Sequence, residues 1–138
     1  MDVSKIMLDT NVVLDIMKNR TKAFEKLKEF KGFTFIISYM VYVEVMAGSQ
    51  LTDKKDTRKF LSEFFIVNKF DEAAHSESKK FVNKYFTGKE NKPMDLLIAS
   101  HAKALNIPII TKNSKDFIFS EIEVYHYDKS IKKYKDNQ

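Results

Sequence analysis

The chain has 138 residues, 43% apolar and 31% charged, with 3 glycines, 2 prolines and no cysteine. These values suit one globular domain and exclude a collagen-like or low-complexity chain, a disulfide framework, a zinc ribbon and a thiol nucleophile. The net charge of +5 comes mostly from lysine, since Arg20 and Arg58 are the only arginines; it permits a nucleic-acid partner, and a solvated lysine surface gives the same balance.

Ile6-Met7-Leu8 is a short apolar run that reads as a buried strand. Thr10 or Asn11 is expected to cap a helix over Val12–Lys18, with Val13, Ile16 and Met17 on one face. A lysine-rich helix over Lys22–Phe30 follows and ends at Gly32. Phe33–Ile37 is the second strand, rich in aromatic and β-branched residues. Ser38 caps a helix that runs to Gly48, and Asp53–Phe64 is a polar amphipathic helix. Phe65–Val67 is the third strand, after which Asp71 caps a helix to about Phe86. Gly88–Pro93 is a loop, Met94–Leu105 a helix, Ile107–Thr111 a strand and Glu123–Tyr127 a last strand. Lys129–Gln138 is a polar tail. Strands and helices alternate along the whole length. The expected fold is therefore a single α/β domain over residues 1–138, with a mainly parallel twisted sheet and helices on both faces. No apolar run approaches the roughly 18 residues of a membrane span. Met1-Asp2-Val3-Ser4-Lys5 does not open a signal peptide, so the expected location is the cytoplasm.

Three acids stand alone in apolar surroundings. Asp9 is the only charged residue from Ile6 to Leu14, Glu44 from Phe33 to Leu51, and Asp95 from Met94 to Ala102 with His101 neutral. Burying an ionised carboxylate is costly unless it is paired or binds a metal. Each acid has a plain alternative. Asp9 and Asp95 can serve helix N-termini, and Glu44 can project to solvent, although capping does not explain an acid well inside its helix. Topology brings them together. Asp9 ends the first strand, Asp95 opens the helix leading to the fourth, and Asp116 follows that strand in Thr111-Lys112-Asn113-Ser114-Lys115-Asp116-Phe117. Open α/β sheets bind ligands outside the carboxyl ends of their strands. A ring of Asp9, Glu44, Asp95 and Asp116, with Asn11, Thr111 and Asn113 as supporting polar residues, is an all-oxygen donor set. It suits Mg²⁺ or Mn²⁺ rather than zinc. Such ions activate water and neutralise charge on a phosphate. His75, His101 and His126 show no ligand spacing and read as surface or core-edge residues. Tyr39, Tyr42 and Tyr85 read as core rather than as base-stacking residues.

These segments resemble a known family. Leu8-Asp9-Thr10-Asn11, the stretch from Ser38 to Gly48 with Glu44, the stretch from Pro93 to Ala102 with Asp95, and Thr111 to Phe117 are similar to the four motifs of PIN-domain nucleases, in order. The length is similar to that of the VapC-type toxins of toxin–antitoxin pairs. The resemblance implies an Mg²⁺- or Mn²⁺-dependent endoribonuclease that leaves a 5′-phosphate and a 3′-hydroxyl. It implies Asp9, Glu44, Asp95 and Asp116 as catalytic acids, with Asp9, Asp95 and Asp116 as metal ligands. It also implies an RNA substrate, a homodimer and a cognate antitoxin that blocks the site. Three alternatives stay open. One is a housekeeping RNA-processing nuclease of the same family without an antitoxin. Another is a phosphatase with Asp9 as nucleophile, which Asn11 disfavours where a second acid is expected. The third is a lysine-based RNA-binding module without catalysis.

Overall fold

The computed structural model describes residues 4–48, 53–86 and 92–128. Among these residues five strands form one sheet: β1 Lys5–Leu8, β2 Thr34–Ser38, β3 Ile66–Asn68, β4 Ile109–Thr111 and β5 Val124–His126. Their order is β3-β2-β1-β4-β5, and every neighbouring pair is parallel. Among the described residues six α-helices make the connections: α1 Thr10–Lys18, α2 Arg20–Lys26, α3 Tyr39–Gly48, α4 Lys54–Phe64, α5 Glu72–Tyr85 and α6 Pro93–Leu105. The chain moves outward from β1 to β3, then α5 and α6 carry it back across the sheet to β4. Right-handed crossovers in opposite directions place helices on opposite faces, which is the expected fold class. The order reverses between β1 and β4, so a crevice opens at their carboxyl ends.

The central strands read as unbroken apolar runs because both faces are covered. Ile6, Met7 and Leu8 of β1 and Ile109 and Ile110 of β4 are fully buried. Val12, Val13 and Ile16 of α1, Val41 and Val45 of α3, and Leu96, Ile98, Ala99 and Ala102 of α6 join them in one core. Each large aliphatic side chain buried there contributes roughly 1.5–3 kcal/mol. That core holds the strand ends in a fixed frame.

Most expected elements are present, with instructive shifts. Asp9, not Thr10 or Asn11, is the cap of α1, and its side chain accepts from the Thr10 amide at 2.8 Å. The helix expected over Lys22–Phe30 starts earlier and breaks at Leu27. Asn19 caps α2 by accepting from the Lys22 amide at 3.2 Å. Lys28–Phe30 then tightens into a 3-10 turn, and Gly32 takes the left-handed conformation (φ 90°) that ends it. Ser38 closes β2 and still accepts from the Met40 amide at 3.2 Å. Pro93 is the first residue of α6 rather than part of a loop, as suits a residue with no amide proton to lose. The rest of that expected loop, residues 88–91, and the tail 129–138 lie outside the described residues. So does the reading of one domain to the final residue.

His101 corrects the reading of the histidines as surface or core-edge. It is fully buried on α6, with Nδ1 2.8 Å from Ser38 Oγ and its ring edge-on to Phe70. Burial holds its pKa below the usual histidine value, against a weaker upward pull from Asp71. A depressed folded pKa means that the unfolded chain takes up the proton first. This contribution to stability is complete above about pH 6.5 and is lost as pH falls through the folded value. We expect His101→Gln to reduce the stability lost between pH 7.5 and pH 5.5, measured by thermal melts. An unchanged pH profile counts against this role.

Candidate active site

Four segments from distant parts of the sequence deliver the acids to the crevice. Asp9 leaves the end of β1, and its backbone amide still bonds to the Ile110 carbonyl of β4 at 3.0 Å. Its side chain is 4% exposed. Oδ1 accepts from the Thr10 amide; Oδ2 accepts from Thr111 Oγ1 at 2.7 Å and from Asn11 Nδ2 at 3.3 Å. Burial pushes this carboxyl above the usual Asp value. The bonds from Thr111, Thr10 and Asn11 oppose the shift, and the Glu44 charge adds to it. Asp9 is thus both the helix cap and the most rigidly held acid.

Glu44 projects from the half-buried side of α3, where Oε1 accepts from Thr10 Oγ1 at 2.5 Å. This bond joins α1 to α3 across the crevice. Asp95 lies in the first turn of α6, half-buried. Its pKa is pushed up to about 6, first by burial and then by the negative charges of Asp9, Asp116 and Glu44, with Lys92 opposing them. Asp116 ends the 3-10 turn Ser114–Asp116 after β4 and pairs with Lys92 at 3.3 Å. The charges of Asp9, Asp116 and Glu44 all act on Asp95, so these three acids lie within electrostatic reach of it.

The expected supporting residues have different duties. Thr111 is fully buried; its hydroxyl donates to Asp9 and accepts from the Asn113 amide at 3.0 Å. Asn11 donates to Asp9 and accepts from the Lys112 amide at 3.1 Å, tying α1 to the loop after β4. Asn113 acts through that backbone amide, and its side chain is exposed. Thr10 and Lys92 have duties that the sequence does not announce. Thr10 reads only as a cap there, yet it anchors Glu44. Lys92 reads as a loop residue in sequence, and only the fold brings it to Asp116.

The donor set is all oxygen and carries excess negative charge, which fits a hard divalent cation. Among the described residues, no group of three His, Asp or Glu is set to hold a metal ion directly. Magnesium usually keeps several waters and needs only one or two carboxylates, so this spacing is compatible with it. Both amide atoms of Asn11 are engaged with protein groups, so it does not replace the second acid of an aspartyl phosphatase.

A parallel α/β domain with an acidic, oxygen-only site at its switch point is the class that fold and geometry define. The chain belongs to the PIN-domain family, whose sequence profile matches residues 6–124. Within that family it is similar to ribonuclease VapC1 of Haemophilus influenzae (strain R2866), with 30% identity over 80% of this chain and 88% of that protein. It is also 25% identical to the tRNA(fMet)-specific endonuclease VapC of Shigella flexneri, over 82% of this chain and 89% of that protein. Among solved structures, VapBC-1 from nontypeable Haemophilus influenzae superimposes with a TM-score of 0.76 and 26% identity, covering 91% of this chain and 99% of that one. Among the described residues no helix is long and apolar enough to cross a membrane.

Proposed function

We propose that this chain is an endoribonuclease of the VapC type that uses Mg²⁺ or Mn²⁺ and serves as the toxin of a toxin–antitoxin pair. One observation carries the reading. Asp9, Glu44, Asp95 and Asp116 converge at the β1/β4 switch point with too little positive charge to balance them. Stability alone does not favour such a cluster, whereas metal-assisted phosphodiester hydrolysis uses one. The ribonuclease relatives support the substrate class.

Asp9, Asp95 and Asp116 are the residues that would hold the ion, one or two of them directly and the rest through its waters. When bound, the ion lowers the pKa of a coordinated water and neutralises charge building on the phosphate. The protein's own part is positional. Asp9 cannot rotate, because the Thr10 amide, Thr111 and Asn11 fix both of its oxygens. Thr10 holds Glu44 by Oε1, leaving Oε2 to orient the attacking water and accept its proton. The products are a 5′-phosphate and a 3′-hydroxyl. In a cleavage assay on a panel of purified RNAs that includes tRNA, a chelator should abolish activity and either Mg²⁺ or Mn²⁺ should restore it. Full activity in chelator refutes the metal-dependent reading.

The partner is an antitoxin, as the VapBC neighbours support. A guanidinium matches a carboxylate in a two-bond fork. The antitoxin should therefore inhibit by placing an arginine or lysine against Asp9, Glu44 or Asp95. A structure of the complex with the genetically adjacent partner tests this. A bound partner with no basic side chain at those acids overturns it, and the absence of any inhibiting partner favours an RNA-processing role. The protein acts in the cytoplasm as a homodimer. Leu14 of α1 and Tyr39 and Val43 of α3 are large apolar side chains left exposed in the single chain, which corrects the reading of Tyr39 as core, and light scattering reads the state directly.

A further inference from the structure

Among the described residues, the cation that pairs with a member of the acidic cluster is Lys92. Its ammonium lies 3.3 Å from Asp116 Oδ2, with side chains 59% and 27% exposed. Among the described residues, its charge also acts against the repulsion at Asp95. Lys112, another lysine of the loop after β4, is committed elsewhere. It pairs with Asp15 at 2.8 Å and lies 5.8 Å from the Tyr127 ring centroid.

An ammonium and a divalent ion cannot both take the same oxygen of Asp116. An exposed lysine pair of this kind is weak, so it yields readily to a doubly charged competitor. The released ammonium cannot go far, because Lys92 directly precedes Pro93, which fixes the start of α6, and Asp95 lies in that first turn. Lysine presents a compact charge on a flexible stem, which suits phosphate oxygens without demanding one geometry.

We propose that Lys92 is an exchangeable counterion: it neutralises Asp116 until metal binds, then leaves that carboxylate and takes a phosphate of the RNA. The proposal rests on the metal-dependent ribonuclease reading. It makes Lys92 a substrate-positioning residue whose two duties pull in opposite directions. Removing the charge frees Asp116 for metal and deprives RNA of a contact. A residue with a merely structural role moves neither measurement in that pattern.

The experiment uses the full chain with Lys92→Gln, Lys92→Arg and Lys112→Gln. Without RNA, calorimetric titration with Mn²⁺ should show Lys92→Gln binding about 3–10-fold tighter than wild type. Lys92→Arg should stay near wild type, and Lys112→Gln should shift less than Lys92→Gln. With RNA, Lys92→Gln should raise KM with kcat little changed. The slope of log KM against log salt should shrink by about 0.7, the value for one lost phosphate contact on a single strand. Equal or weaker Mn²⁺ binding by Lys92→Gln overturns the proposal, and so does an unchanged salt slope. If wild type neither binds Mn²⁺ nor cleaves RNA, the ribonuclease reading falls and this proposal falls with it. If wild type does both and Lys92→Gln matches it, only the counterion role falls.

Discussion

Asp9→Asn is expected to cut RNA cleavage by at least about 100-fold while leaving the fold intact. Loss of an outer residue that merely orients a metal ligand costs 10–100-fold, so loss of a ligand's charge should cost more. The argument for an intact fold is equally specific. Asn caps helices about as well as Asp, and its oxygen can keep the bond from the Thr10 amide. Its amide nitrogen then faces Thr111, whose hydroxyl can turn from donor to acceptor, and only the long bond from Asn11 is lost. The variant should therefore melt cooperatively at a temperature close to that of wild type. Cleavage within a few-fold of wild type would make Asp9 a cap and nothing more.

That double duty explains what could be read from the sequence. Asp9, Glu44 and Asp95 stand out because each is the only charge in an apolar run, and burial penalises a charge wherever the run ends up. The order of strands and helices then brings those acids to one edge of a parallel sheet. Partner choice was not legible. The Thr10–Glu44 bond links residues 34 positions apart, and no local preference of a threonine announces a partner at that distance. The same holds for Lys92 with Asp116 and for His101 with Ser38. The end of the second helix failed for a local reason. Apolar spacing over Lys22–Phe30 suits a helix, but spacing does not register that the last turn tightens at Leu27. Asn113 shows the reverse error. Its residue type suits a ligand, yet its part in the site is a backbone amide that almost any residue can supply.

Asp95→Asn is expected to stabilise the protein in chelator at neutral pH, by about 1–2 kcal/mol. Burial and the charges of Asp9, Asp116 and Glu44 raise the folded pKa of Asp95 to about 6. The stabilising contribution of a raised carboxylate is complete below the unfolded value, near 4, and is lost as pH rises through about 6. At pH 7.5 the ionised group is thus a net cost to the fold without metal, and Asn removes that cost while keeping the shape. A carboxylate in the first turn of a helix recovers about 0.3–1 kcal/mol from the helix dipole, so the full shift is not expected to appear. The gain should read as a rise in Tm of about 3–8 °C in chelator at pH 7.5, shrinking as pH falls toward 4. His101 acts with the opposite sign below about pH 6.5, so each pH is judged by the difference between variant and wild type. Saturating Mg²⁺ should then raise wild type more than the variant, because a ligand stabilises in proportion to its affinity for the native state. If wild type is the more stable protein in chelator and Mg²⁺ moves both equally, Asp95 is a first-turn residue of α6 and holds no metal.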